Sequence, residues 1–233
     1  MMKNMPITTL FMLMSLDGKI NSGASDELDV DRDWSKIYGI KEGIHQYYEI
    51  EQTTDEYSLN SGKVMAKIGV NDKKEPDYKI GVSFIIIDSK PHLTESGIIY
   101  LCKWVKKLFL VTSNKNHPAF KLKEKLDNLE IMYYDQKINL TTMMVDLKQV
   151  YDVKRLTIQS GGTLNGEFLR NNLINYVNIV IAPVLVGGKE TNTLIDGESI
   201  TKVEELNKIR PMKLLECNQL KDSYVQLKYE IIR

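Results

Sequence analysis

Three short runs are apolar almost without interruption: TTLFMLMS at 8–15, VSFIII at 82–87 and LFLVT at 108–112. A strand with one wet face alternates apolar and polar residues. A continuous apolar run suits a strand buried on both faces, as in a parallel sheet. Weaker runs at 57–60, 130–134, 155–159 and 177–181 read the same way. Between them, helical periodicity is expected over 37–52, 63–68, 120–126, 141–151 and 164–171, and a polar loop over 21–33. Strands that alternate with helices predict an α/β fold with a mainly parallel sheet covered on both faces. The tail differs. Residues 212–220 and 224–232 alternate, which predicts a C-terminal antiparallel hairpin and so a mixed sheet.

No repeat, low-complexity segment or composition shift divides the 233 residues, so a single domain over 1–233 is expected. The 31 basic and 31 acidic side chains cancel, which gives no electrostatic case for nucleic acid or an anionic membrane. The stretch Lys103-Trp104-Val105-Lys106-Lys107 is read as a solvated face. Cys102 and Cys217 lie too far apart for a metal-ligand spacing and are read as buried thiols. No signal peptide and no apolar stretch long enough to cross a bilayer is found, so the cytoplasm is the expected compartment.

The segment QSGGTLNGEFL, Gln159 to Leu169, carries the strongest chemical signal. It follows a strand and opens a helix, where unpaired N–H groups and the positive end of the dipole favour a phosphate. A glycine pair lets a ligand approach the backbone. The alternative is an ordinary tight turn with Thr163 as the helix cap. In open α/β sheets, ligands sit beyond the carboxyl ends of strands. The groups expected there are Ser15 and Asp17, Ser61 and Gly62, Asp88 and Ser89, Thr112 to Lys115, and Gln159 to Thr163. The glycine pair with a T-S-N-K turn suggests an extended phosphate-bearing ligand.

SLDGKI at 15–20, SGKVM at 61–65, and QSGGTLNGEFL followed by VNIVIAPVLVGG occur in an order that resembles the riboflavin-biosynthesis pyrimidine reductases. The resemblance covers nearly the whole chain. It implies a three-layer dihydrofolate-reductase-like fold, a homodimer, and NADPH-dependent reduction of a ribosylaminopyrimidine to its ribityl form. By position it places the cofactor pyrophosphate on Gly161, Gly162, Thr163, Leu164 and Asn165, with a second contact at Ser61, Gly62 and Lys63. Met14 would lie beside the nicotinamide, and Thr112, Ser113 and Asn114, with Lys115, would receive the 2′-phosphate end. Ser15, Arg32, Trp34 and Gln159 would face the substrate, a small molecule. Asp17 is a positioning candidate, or simply part of an Asp-Gly turn. No deaminase zinc signature is present and no metal is expected.

This chain departs from the resembled pattern at several points. Gln159 stands where the family usually has Glu, Lys63 where it often has Thr, and Lys67 where it tends to have an acidic residue. The substrate loop is the aspartate-rich ASDELDVDRDW. These changes leave open an NADPH reductase of a pterin or another small carbonyl or imine compound, or a silent nucleotide-binding protein. His45 is expected to pack partly buried, Tyr47 and Tyr48 as core and rim, and His92 and His117 receive no role. Hydride transfer needs no nucleophile or metal, only cofactor and acceptor held face to face away from water.

Overall fold

The computed structural model describes residues 4–232. In chain order the strands are β1 (Ile7–Ser15), β2 (Tyr57–Ser61), β3 (Ser83–Ile87), β4 (Leu108–Thr112), β5 (Leu129–Tyr133), β6 (Arg155–Ile158), β7 (Tyr176–Ala182), β8 (Met212–Gln219) and β9 (Val225–Ile231). The helices are α1 (Val30–Asp33), α2 (His45–Glu51), α3 (Gly62–Lys67), α4 (Glu95–Trp104), α5 (Leu140–Gln149) and α6 (Gly162–Arg170). The chain divides into two compact units. One is built on Asp55–Ser160, and the other joins Ile7–Thr54 to the chain from Gly161 onward.

In the first unit β5, β4, β3, β2 and β6 lie side by side, every pair parallel. All five residues of β4 are buried, so both faces of this strand are covered, as its unbroken apolar run predicts. Ile98, Leu101, Cys102 and Val105, from α4 and its end, pack with Ile86, Leu108 and Leu110 in one apolar cluster. Full burial of side chains of this size stabilises by roughly 1.5–3 kcal/mol each before ordering entropy is counted.

The second unit pairs β1 with β7 in parallel, then β7 with β9 and β9 with β8 antiparallel. The C-terminal hairpin is therefore present, and the fold is α/β with a mixed, mainly parallel strand pairing. Phe11, Leu13, Trp34, Ile40, Tyr47 and Tyr224 form its core. Phe11 and Tyr47 stack at 5.0 Å, and the Tyr224 hydroxyl donates to Ile40 O at 2.7 Å.

Several expectations need correction. Only His45–Glu51 of the predicted 37–52 helix is helical, because Gly39 takes φ +85° and breaks the run before it. The expected helix over 120–126 is a 3-10 turn, Pro118–Lys121, opened by His117. The loop at 21–33 ends in α1, which Asp29 caps through Asp31 N. Helix α4 has no counterpart among the expected elements: Gly97 inside it and the charge run after it obscure its period. Cys102 is buried but Cys217 is exposed on β8, an edge strand paired on one side in this unit. His45 is exposed rather than packed, whereas Tyr47 is core and Tyr48 half-buried as expected.

Candidate active site

Helix α6 begins at a glycine cap. Gly161 holds φ −69° and ψ 158°, and as the cap residue it brings no side-chain hydrogen bond to the first turn. Thr163, the alternative cap, is inside the helix and exposed. The two glycines differ. A Cβ on Gly161 would meet nothing within 4 Å, so this position is open to an approaching ligand. A Cβ on Gly162 would lie 2.2 Å from Thr193 O and 2.3 Å from an Asp196 carboxylate oxygen, and one on Gly166 would lie 2.2 Å from Asp196 O. Gly162 and Gly166, one turn apart, thus form a bare groove for the strap 193–196.

That strap is tied down firmly. Asp196 N donates to Gly162 O at 2.9 Å, Asn165 Nδ2 to Leu194 O at 3.0 Å, and Arg170 Nη1 to Asp196 O at 3.1 Å. Burial alone would raise the Asp196 carboxyl, but hydrogen bonds from Thr193 and Asn192 and the charge of Lys19 hold it below the usual range. Of the five residues expected at a pyrophosphate, Gly162 and Asn165 serve internal packing. Gly161, Thr163 and Leu164 present partly or fully exposed positions.

At the end of β1, Ser15 is buried and donates from Oγ to Asp17 at 2.6 Å. The Asp17 carboxylate also accepts from Val186 N at 3.0 Å and Gly187 N at 2.7 Å. The Ser15 hydrogen bond, then that from Val186, brings its carboxyl down to about 2. Lys19 Nζ donates to Thr191 O at 2.8 Å. The SLDGK segment is therefore a clasp on the loop after β7, and Met14, just before it, is half-buried. Arg32 is exposed and donates to Glu27 O. Trp34 does not reach a surface: it is 1 % exposed, inside the core of its unit. Its expected direct contact with substrate is replaced by a packing role.

In the first unit the parallel strands bring their carboxyl ends to one edge. Ser61 caps α3, its Oγ accepting from Val64 N at 3.3 Å, with Lys63 exposed on that helix. Next to it Gly62 makes room for Asp88, whose carboxyl oxygens would lie 2.4 and 2.6 Å from an added Cβ. Asp88 accepts from the backbone of His92 and Leu93 and bonds both imidazoles, His92 Nδ1 at 2.9 Å and His117 Nε2 at 3.2 Å. His117 Nδ1 accepts from Ala119 N at 3.2 Å, so Nε2 carries the proton and donates to Asp88. Burial would raise Asp88, but the bonds from His117, Leu93 and His92 hold it low. Thr112 Oγ1 donates to Asp88 O at 3.0 Å and accepts from Asn114 N, Ser113 Oγ lies 3.0 Å from Ser89 Oγ, and Lys115 is exposed.

A second polar group crosses β2 and β6. Asn60 Nδ2 donates to Ser58 Oγ at 3.3 Å, and Ser58 Oγ donates to Gln159 Oε1 at 2.7 Å. Gln159 N is held by Leu59 O at 2.9 Å. Sequence reasoning assigned no role to Ser58, Asn60, His92 and His117, which these two polar groups contain. For the first two a signal existed: Ser58 and Asn60, like Thr157 and Gln159, are spaced by two and share a strand face. Among the described residues no group of three or more His, Cys, Asp or Glu is placed to hold a metal, and no helix is long and apolar enough to cross a membrane.

Comparison with known proteins gives a consistent result. Over 214 residues the chain is 22 % identical to the 2,5-diamino-6-ribosylamino-4(3H)-pyrimidinone 5′-phosphate reductase of Archaeoglobus fulgidus, covering 88 % of this chain and 92 % of that one. It is 22 % identical to the riboflavin biosynthesis protein RibD of Actinobacillus pleuropneumoniae over 97 % of this chain, but spans only 57 % of that protein. Acinetobacter baumannii RibD has the same fold, with a TM-score of 0.67 at 18 % identity over 99 % of this chain and 59 % of that one. The family model for the RibD C-terminal domain matches residues 71–225. With most of its length under that model and its open glycine turn, clasped SLDGK segment and strand-end polar groups where the motifs lie, this chain belongs to the RibD C-terminal domain family.

Proposed function

We propose that the chain is an NADPH-dependent reductase in riboflavin biosynthesis. Its substrate is a ribosylaminopyrimidine 5′-phosphate, as in 5-amino-6-(5-phosphoribosylamino)uracil reductases, and residues 1–233 act as one reductase domain. The observation that carries this reading is the opening of α6: a glycine cap without a side-chain partner and clear space around Gly161, in a chain of this family. Bare amides at a helix head suit a diphosphate. Gly161, Thr163 and Leu164 would hold it by backbone, while Gly162 and Asn165 fix the helix against its strap. Ser61, Gly62, Lys63 and the Thr112–Asn114 turn would take the rest of the cofactor, and Met14 the nicotinamide side. When bound, the cofactor supplies the hydride.

On the substrate side Gln159 is the polar group we assign to the pyrimidine. Arg32 supplies charge at the surface, while Ser15 and Trp34 hold their own unit together, Ser15 through Asp17 and Trp34 in the core. A cytoplasmic homodimer is the expected form. The test is consumption of NADPH by purified protein given a ribosylaminopyrimidine 5′-phosphate, together with a thermal-shift comparison of NADPH and NADH. NADPH should raise the melting temperature, and Gly161→Val, which fills the open approach, should reduce that shift. Full retention of the shift in Gly161→Val would place the cofactor elsewhere. Turnover of a pterin in place of the pyrimidine would replace the substrate half of the reading.

A further inference from the structure

We infer that one face of the C-terminal hairpin, β8 with β9, is covered by the same face of a second copy of the chain, packed face to face across a two-fold axis. This rests on the homodimer part of the reading above and not on its reductase part. The strand register shows which side chains share that face. Met212 stands opposite Ile231, Leu214 opposite Tyr229 and Cys217 opposite Leu227, so all six lie on one side of the hairpin. On the other side Lys213 stands opposite Glu230, Glu216 opposite Lys228 and Asn218 opposite Gln226. There the Lys228 ammonium meets the Glu216 carboxylate at 2.9 Å. The hairpin is therefore apolar on one face and charged on the other.

Its apolar face points away from the core of its own unit. The charged side continues through β7 and β1 into Val180, Phe11 and Leu13, which belong to the core cluster. The apolar side continues the opposite face, through Val177 and Ile179. Cover on that face is lost strand by strand. Val177 and Ile179 are buried, Leu227 and Tyr229 are half-buried, and on β8 Met212 is 45 % and Leu214 49 % exposed, with Cys217 exposed beside them. An apolar sheet face left this open marks a contact surface. No charged side chain stands on it, so two identical faces meet without like-charge repulsion, as a self-complementary two-fold contact requires. Edge-to-edge joining is opposed by the register shift between Leu214 and Glu216, whereas face-to-face packing of sheets about 10 Å apart does not use the strand edge. A stable pair needs about 800 Å² from each partner. The turn that leads into β8 adds Val203, Leu206 and Ile209, each more than half exposed, to the apolar surface available.

Sedimentation velocity on the full chain, over a dilution series, should give a species of twice the 26.8 kDa chain mass that dissociates on dilution. Leu214→Lys, which the two-fold axis brings into the contact twice, should weaken association by roughly a hundredfold or more. Lys213→Thr, one residue away on the charged side, should leave it unchanged. A second readout needs no substitution and decides the matter even if Leu214→Lys does not fold. Cys102 is buried and Cys217 lies on the apolar face, so a thiol reagent added to the folded chain reads Cys217. Its reaction rate should rise about tenfold or more as the dimer is diluted to monomer, because only an accessible thiolate reacts. A dimer that survives Leu214→Lys, or a Cys217 that reacts within the dimer as fast as in the monomer, overturns the assignment of this face and leaves the homodimer reading standing. A chain that stays monomeric at micromolar concentration overturns both, while NADPH oxidation reports on the reductase reading by itself.

Discussion

At the scale of single residues, the two adjacent glycines of the α6 turn do different jobs and should fail differently. Gly162→Ala forces a methyl against Thr193 O and the Asp196 carboxylate, so it should cost about 1–3 kcal/mol in urea denaturation. Gly161→Ala meets open space and should leave that midpoint within experimental error. If both substitutions destabilise equally, the strap does not explain Gly162. Asp88 offers a second residue-scale test. It takes hydrogen bonds from four directions, and Asp88→Asn replaces an acceptor with a donor facing His92 or His117. A loss of about 1–3 kcal/mol is expected, and a wild-type unfolding curve would contradict the assigned proton on His117 Nε2. That carboxylate was invisible in the sequence as anything but a strand-end turn, because His117 lies 29 residues beyond it. Trp34 shows the reverse. Its place in the resembled substrate loop suggested a substrate contact, but an aromatic ring beside Phe11 and Tyr47 is worth more inside.

At the scale of elements, the clasp between the end of β1 and the loop after β7 depends on an ionised Asp17. Its carboxyl is brought from an ordinary 3.8 to about 2 by Ser15, Val186 and Gly187. Because the folded value is the lower one, the stabilisation is complete above the ordinary value and is lost as pH falls toward about 2. Amide exchange at Val186 and Gly187 should therefore lose protection over that acid window, and in Asp17→Asn the acid-dependent step should vanish. Protection that is independent of pH would show the loop is held by something else. The β-strands were legible because their signal is local: a run such as VSFIII has few other homes, and the alternating tail declares a half-covered hairpin. Helix α4 was not legible, since Gly97 is there to admit the Asn71 side chain, a partner far back in the sequence. The 37–44 stretch has apolar residues at helical spacing, yet Gly39 at φ +85° turns it into successive turns around Trp34 and Tyr224. Several side chains of the SLDGK and glycine motifs bind their own chain, as Asp17 does at Val186 and Gly187 and Asn165 at Leu194.

For the molecule as a whole, light scattering should return twice the 26.8 kDa chain mass if the expected homodimer forms. A monomer at micromolar concentration would remove that part of the proposal. The edge strand β8 leaves Met212, Leu214 and Leu215 nearly half exposed, and its register shift between Leu214 and Glu216 interrupts the ladder an incoming strand would need. The pairing of β1 with β7 reaches further. Thr8 is bonded to Asn175, 167 residues later, so the first strand of its unit cannot dock until most of the chain has left the ribosome. At roughly 5–20 residues per second the wait is on the order of ten seconds or more. Throughout that interval Leu10, Phe11 and Leu13 wait without the strand that seats them, sheltered only by nearer neighbours such as Trp34 and Tyr47.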